Sequence, residues 1–218
     1  MNDLEKFFKE KGNRNSHKWY HYLEIYDRHF SRFRNKEINI LEFGVFDGGS
    51  LQMWKKYFGS KVNVYGVDIN ERCKEFEEDN VKIFIGDQED KDFLLKLTQE
   101  IPIVDILIDD GGHTMKQQIN TFEVMFNHVK NGGVYLCEDL HTSYWGRFGG
   151  GYNKPTTFIE YSKKFIDDLH RWHSKSIRLN RSKKSIYSVI YYDSVIVIEK
   201  RRNRKPRSIM NFKREGKL

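Results

Sequence analysis

The stretch Ile106-Leu107-Ile108-Asp109-Asp110-Gly111-Gly112-His113 carries a short apolar run straight into two acids, a glycine turn and a histidine. Val134-Tyr135-Leu136-Cys137-Glu138-Asp139 repeats the arrangement, with acids again following the apolar run. Uninterrupted apolar runs of this length read as strands buried on both faces, as in a parallel sheet. Both acidic clusters then fall at strand carboxyl ends, the edge on which open α/β sheets bind ligands. Three carboxylates and an imidazole gathered there suit a divalent metal ion beside a base.

The rest of the chain alternates in the same way. Strands are predicted at Ile38–Phe43, Asn63–Val67, Val81–Ile85, Val104–Ile108 and Gly133–Cys137. Helices are predicted between them at Ser50–Tyr57, Glu71–Glu78, Asp90–Glu100 and Met115–Val129. Apolar residues at Phe158, Ile159, Phe165, Ile166 and Leu169 predict one further helix over Pro155–Trp172. Ser188–Tyr192 and Val195–Glu199 are β-rich and joined through Asp193-Ser194, which predicts an antiparallel hairpin. The fold class is therefore α/β, a mostly parallel sheet with an antiparallel edge. Residues 3–10 and 19–34 read as helices whose aromatic side chains, Trp19, Tyr20, Tyr22, Tyr26 and Phe30, pack onto the sheet or the cleft.

A chain of 218 residues has room for one large α/β domain. Its formal charge of +7 is unevenly spread. Nine Lys/Arg and one Glu follow Glu199, so the body before them is close to neutral and the basicity belongs to a terminal segment. Such a tail reads as a solvated end, or as a contact for nucleic acid, an anionic surface or a partner. The neutral body offers no basic stripe, which argues against nucleic acid as substrate. Cys73 and Cys137 give no disulfide framework. The start, Met1-Asn2-Asp3-Leu4-Glu5, lacks the basic and apolar regions of a secretory signal, and no apolar run approaches membrane-spanning length. A cytoplasmic location is the expectation, and the aromatic N-terminal helices offer a surface for homo-oligomers.

The first strand ends in Glu42-Phe43-Gly44-Val45-Phe46-Asp47-Gly48-Gly49-Ser50, a glycine-rich turn of the kind that cradles a nucleotide-type cofactor. A dinucleotide wants bare backbone against its pyrophosphate. Phe46 stands where the middle glycine would be, and Asp47 puts a negative charge into the turn. S-adenosylmethionine carries no phosphate and fits better. Glu42 and Asp47 are expected on its ammonium side, and Asp68, ending the second strand, on its ribose hydroxyls. Asp87 and Gln88, after the third strand, are expected at the adenine.

From about Lys18 to Glu199 the sequence resembles the class I S-adenosylmethionine-dependent methyltransferases. Within them it is similar to the metal-dependent macrocin/mycinamicin sugar O-methyltransferases and cephalosporin-hydroxylase-like proteins. The carrying residues are Leu41-Glu42-Phe43-Gly44-Val45 with Gly48-Gly49-Ser50-Leu51, Trp54, Tyr65-Gly66-Val67-Asp68, Asp109-Asp110-Gly111-Gly112-His113 and Glu138-Asp139-Leu140. Gly112, where serine is usual, and the basic tail depart from the pattern. The resemblance implies a Rossmann-like fold with a seven-stranded sheet, divided into an N-terminal helical segment (1–36), a cofactor-binding domain (37–199) and a basic tail (200–218). It implies Asp110, Glu138 and Asp139 as Mg²⁺ ligands and His113 as catalytic base, with Glu42, Gly44, Asp47, Ser50, Asp68, Asp87, Gln88 and Asp109 around the cofactor. Three hard carboxylates with no cysteine agree with Mg²⁺ or Mn²⁺. Asp109 alternates to the other side of its strand and is set apart from the metal ligands.

The implied reaction is methyl transfer to a hydroxyl of a saccharide or glycosylated small molecule. Aromatics at Tyr144 and Trp145, followed by Gly149-Gly150-Gly151, suggest a mobile lid that stacks on a sugar ring. Two rival readings are a nucleic-acid methyltransferase guided by the tail and a non-catalytic subunit retaining the fold. A third gives the acids a purely structural role, with Asp110 and Asp139 capping helices and His113 bonded to a backbone carbonyl.

Overall fold

The computed structural model describes residues 2–10, 14–173, 185–202 and 204–211. Of the basic tail expected over 200–218, residue 203 and residues 212–218 lie outside this part.

Seven strands form one sheet: β1 (Ile38–Phe43), β2 (Val62–Asp68), β3 (Val81–Ile85), β4 (Val104–Asp109), β5 (Val129–Cys137), β6 (Ile186–Tyr192) and β7 (Val195–Lys200). Their spatial order is β3-β2-β1-β4-β5-β7-β6. The first five pair in parallel, while β7 runs against both β5 and β6. The order reverses between β1 and β4, and this switch point opens a crevice at the strand carboxyl ends. Register fixes what lines it. Val67, Phe43, Asp109 and Cys137 are aligned across β2, β1, β4 and β5. The next residues, Asp68, Gly44, Asp110 and Glu138, therefore leave the sheet side by side.

Alternation assigns the faces. Ile40, Ile106, Ile108, Val134 and Leu136 lie under α1 (Asp3–Lys9), α2 (Tyr22–Phe30) and α3 (Gly49–Phe58), packed with Leu23, Phe30, Trp54 and Phe58. Leu41, Phe43, Leu107, Tyr135 and Cys137 face α4 (Lys91–Glu100), α5 (Met115–Met125), α6 (Phe158–Lys163) and α7 (Phe165–His170) through Leu94, Phe122, Phe126 and Phe165. By the same count Glu42, Asp110 and Glu138 turn toward the N-terminal layer, and Asp109 turns away. Tyr22, Tyr26 and Phe30, four residues apart, form one buried stripe of α2. The segment before residue 37 thus shares the domain's core.

Several elements differ from expectation in local ways. The helix predicted over Met115–Val129 ends at Met125 and passes through a 3-10 turn, Phe126–His128, because Val129 pairs with Val104 and opens β5. The Pro155–Trp172 helix starts only at Phe158, capped by Thr157, whose hydroxyl accepts from the Glu160 amide at 3.3 Å. It breaks at Lys164, whose amide bonds to Ser162 and Tyr161 rather than four residues back. Glu71–Phe76 is a 3-10 helix, and the second N-terminal helix covers Tyr22–Phe30 with a 3-10 turn to Phe33. No helix among the described residues is long and apolar enough to cross a membrane.

Lys200 belongs to the fold rather than to the tail. It ends β7, and its ammonium donates to the carbonyls of Phe126, Asn127 and Val129 at 3.0, 2.8 and 2.7 Å. Burial pulls its pKa down to about 8, while the three carbonyls favour the charged form. Lys200→Met strands those acceptors in the 3-10 turn after α5 and at the start of β5. A loss of about 1–3 kcal/mol is expected, which thermal melting reads as a Tm lower by about 3–10 °C.

Candidate active site: a cleft bordered by an acid–histidine cluster

The crevice is a cleft of about 740 Å³, within the usual range for a cofactor site. One wall is the loop after β1. Gly44 holds φ +91°, and a Cβ there would collide with the backbone carbonyl of Asp110, so only glycine lets the two strand ends close together. Asp68 holds this loop, accepting from the amides of Val45 at 2.9 Å and Phe46 at 3.1 Å. Its other oxygen accepts from the Asn70 amide at 2.9 Å. Asp47 accepts from the Asn15 side chain at 2.9 Å, and Asp87 from the Glu89 amide at 2.8 Å. Asp47, Ser50, Asp68, Asp87 and Gln88 all line the cleft.

Asp109 does not. It is fully buried on the opposite face, where it accepts from the Gln88 side chain at 2.5 Å and the Tyr135 hydroxyl at 3.2 Å. Burial, opposed by the Gln88 bond, pushes its pKa up to about 6. The expected cofactor contact is thus corrected to an internal strut, a consequence of strand parity. Gln88 also bonds Thr121 and the Gly112 amide, so it braces the acidic turn while bordering the cleft. Glu42 is buried beneath Ser50, whose hydroxyl donates to it at 2.7 Å, and desolvation raises its pKa to about 7.

The acid cluster holds a cation that the sequence did not single out. The ammonium of Lys18 pairs with Asp110, with Glu138 at 3.1 Å and with Glu42 at 3.6 Å, and its side chain is only 3% exposed. Burial pulls its pKa down, but the three carboxylates outweigh that and hold it well above the ordinary lysine value. Tyr26 donates to Glu138 at 2.5 Å and Tyr22 to Asp139 at 2.8 Å. Burial and the neighbouring Asp110 charge push the Glu138 carboxyl up, against the pull of Lys18 and Tyr26. Three carboxylates share this one ammonium, and Asp139 adjoins them through Tyr22 and His113.

Asp139 and His113 break the strand alternation, each with positive φ, 55° and 58°. These turns swing both side chains back into the cleft. His113 Nε2 lies 3.5 Å from Asp139 and 3.8 Å from Asp110, and its Nδ1 is buried without a hydrogen-bond partner among the described residues. One ligand atom from each of Asp110, His113 and Asp139 lies within 4.8 Å of the others. Carboxylate oxygens converging beside a single imidazole, with no thiolate, fit a hard divalent ion. Glu138 borders this group but is engaged by Lys18 and Tyr26. Helix capping is excluded as the acids' role: Thr114 caps α5 in a reciprocal pair with Gln117, and the turn after Asp139 has no side-chain cap.

Tyr144 and Trp145 are not brought to the cleft. They line a separate shallow depression, and the segment is folded on itself by amide bonds from Gly150 to Trp145 and Gly151 to Ser143. Thr142 pins it to the His113 carbonyl. The expected free lid is therefore a packed loop. The Trp145 ring lies 4.5 Å from that of His141, which in turn stacks at 5.1 Å on Trp19. Trp19 lines the cleft and is 41% exposed. Lys18, Tyr22 and Tyr26 carried a hint in the aromatic run at 19–30, but nothing local paired them with acids some hundred residues later.

A sheet of this order, reversed only at β7, with a cofactor-sized cleft at its carboxyl edge, is the class I methyltransferase fold. The chain is homologous to sugar O-methyltransferases. It is 36% identical over 202 residues to the 8-demethyl-8-alpha-L-rhamnosyl tetracenomycin-C 2'-O-methyltransferase of Streptomyces olivaceus, covering 86% of this chain and 53% of that protein. It is 41% identical over 154 residues to the demethylmacrocin O-methyltransferase of Streptomyces fradiae, covering 66% and 38%. The chain thus spans about half the length, or less, of these curated relatives. Among solved structures, the MycE methyltransferase of the mycinamycin biosynthetic pathway, in complex with Mg, S-adenosylhomocysteine and mycinamycin VI, superposes with a TM-score of 0.81 at 31% identity. That match covers 92% of this chain and 54% of MycE. No protein-family model matches the chain.

Proposed function

We propose that this chain transfers a methyl group from S-adenosylmethionine to a hydroxyl of a sugar, in a polysaccharide, a nucleotide-sugar or a glycosylated small molecule, with Mg²⁺ or Mn²⁺ bound. The observation that carries the reading is the convergence of Asp110, His113 and Asp139 at the edge of the cleft walled by Gly44 and Asp68. The named activities of the relatives support a sugar acceptor.

Asp110 and Asp139, with Glu138 adjoining, would hold the divalent ion, and Asp47, Ser50, Asp68, Asp87 and Gln88 would surround the methyl donor. A divalent ion at this place supplies Lewis acidity that makes a sugar hydroxyl a better nucleophile. His113 Nε2 accepts the proton the hydroxyl loses as the new O–C bond forms and the S–C bond of the donor breaks. Tyr22 and Tyr26 fix the carboxylates by hydrogen bonds, and the packed strands beneath keep the reacting edge from shifting.

Calorimetric titration with S-adenosylhomocysteine, with Mg²⁺ and then with excess chelator, tests the donor. Saturable binding at one site per chain in both conditions is expected. Absence of binding in both would overturn the methyltransferase reading. A panel of glycosylated acceptors, scored by methyl incorporation, then tests the acceptor class.

A further inference from the structure

The geometry points to Lys18 as an exchangeable counter-cation: we propose that its ammonium and the divalent ion compete for Asp110 and Glu138, so that metal entry releases residues 14–19 from the cleft. This inference rests on the metal reading above. Its first support is position. The ammonium bridges Asp110, Glu138 and Glu42 from inside the protein, with almost no contact with solvent. A buried carboxylate group without a counter-charge is strongly unfavourable, so a cation there holds the metal-free site together. A divalent ion bound to the same oxygens would do that work with twice the charge and would repel the ammonium at short range.

The second support is where Lys18 sits in the chain. Residues 14–19 run across the cleft as an irregular strap, with no strand or helix to hold them. Apart from Lys18, the strap is fastened through Arg14, Asn15 and Trp19, with the Arg14 guanidinium 3.8 Å from Glu78 and 5.0 Å from the centre of the Phe76 ring. Arg14 donates to the Phe76 carbonyl at 3.3 Å, Asn15 donates to Asp47, and the Trp19 ring stacks on His141. The Asn15 carbonyl lies so close over Gly49 that a Cβ at that position would strike it. The strap therefore covers the start of α3 and the cofactor loop at one end, and plugs the acid cluster through Lys18 at the other. Loss of the Lys18 ion pairs removes its strongest attachment, which couples occupancy of the acid cluster to access to the cofactor cleft.

The test is a titration of the whole chain with MgCl₂ and MnCl₂ by calorimetry, comparing the unaltered protein with Lys18→Met. Methionine keeps the length and apolar stem of the side chain and deletes the charge. Competition requires the variant to bind metal at least about tenfold more tightly. Equal or weaker affinity would overturn the exchange while leaving the metal site standing, and no metal binding by either protein would overturn both. Because Lys18→Met leaves buried carboxylates uncompensated, hydrogen exchange of the unaltered chain supplies a readout independent of that variant's folding. Saturating Mg²⁺ is expected to speed amide exchange at residues 14–19 several-fold. Unchanged or slower exchange there would overturn the release.

Discussion

His113→Asn is expected to lower the turnover number of methyl transfer by about 10²–10⁴, the range that loss of a positioned general base produces, while S-adenosylhomocysteine affinity stays within about twofold. The choice of asparagine follows from the backbone. His113 holds φ 58°, and asparagine is among the few residues that adopt this left-handed conformation with little strain. The hydrogen bond from the Thr142 hydroxyl goes to the main-chain carbonyl of His113 and survives the change. The substitution therefore removes the imidazole and little else, and a Tm within a few degrees of the parent is expected. A metal titration separates two roles that the geometry brings close, since Nε2 faces both Asp110 and Asp139. A rate loss with unchanged metal affinity marks His113 as the base. A matching loss of metal affinity marks it as a ligand, and an unchanged rate would place the base elsewhere.

What could be read in the sequence follows from how local the causes are. The strands β1 and β3 fall on their predicted limits because each is a β-rich run, Ile38–Phe43 and Val81–Ile85, that stops at a glycine. The positions of Asp68, Gly44, Asp110 and Glu138 follow from the ends of β2, β1, β4 and β5 and the sheet register alone. Parity also separates Asp109 from Asp110, which is why Asp109 is an internal strut. Parity alone would send Asp139 to the wrong face. Its positive φ, a departure no composition pattern signals in a non-glycine residue, returns it to Tyr22 and His113. Lys18 was illegible for a different reason. Its partners Asp110 and Glu138 are 92 and 120 residues away, and its own neighbourhood reads as an ordinary polar linker before a helix. The break at Lys164 and the 3-10 turn at Phe126–His128 likewise depend on tertiary pairing of Val129 and Lys200 or on local carbonyl geometry, neither of which shifts the apolar spacing.

Asp110→Asn is expected to weaken Mg²⁺ binding by at least about 100-fold, since displacing even an indirect partner of a metal ligand costs 10- to 100-fold. Methyl transfer falls with it when Mg²⁺ is limiting. The amide is the same shape as the carboxylate, so the main-chain contacts of Asp110 persist: its N–H still donates to Phe43, and its carbonyl still lies against Gly44. The cofactor wall is left standing, and S-adenosylhomocysteine binding should be retained. In the metal-free protein two changes oppose each other. Glu138 loses a like charge that pushes its pKa up, and Lys18 loses one of its three carboxylates but keeps Glu138 and Glu42. The metal-free Tm should therefore move little. The contrast appears on adding metal. At a hundred times the dissociation constant, a ligand specific to the folded state contributes about 2.7 kcal/mol, or roughly 5–11 °C in Tm for a chain of this size. The parent should gain that increment and Asp110→Asn should gain almost none. If the variant's Tm rises with Mg²⁺ as far as the parent's, Asp110 lies outside the metal's ligand set and its bond to Lys18 is its whole role.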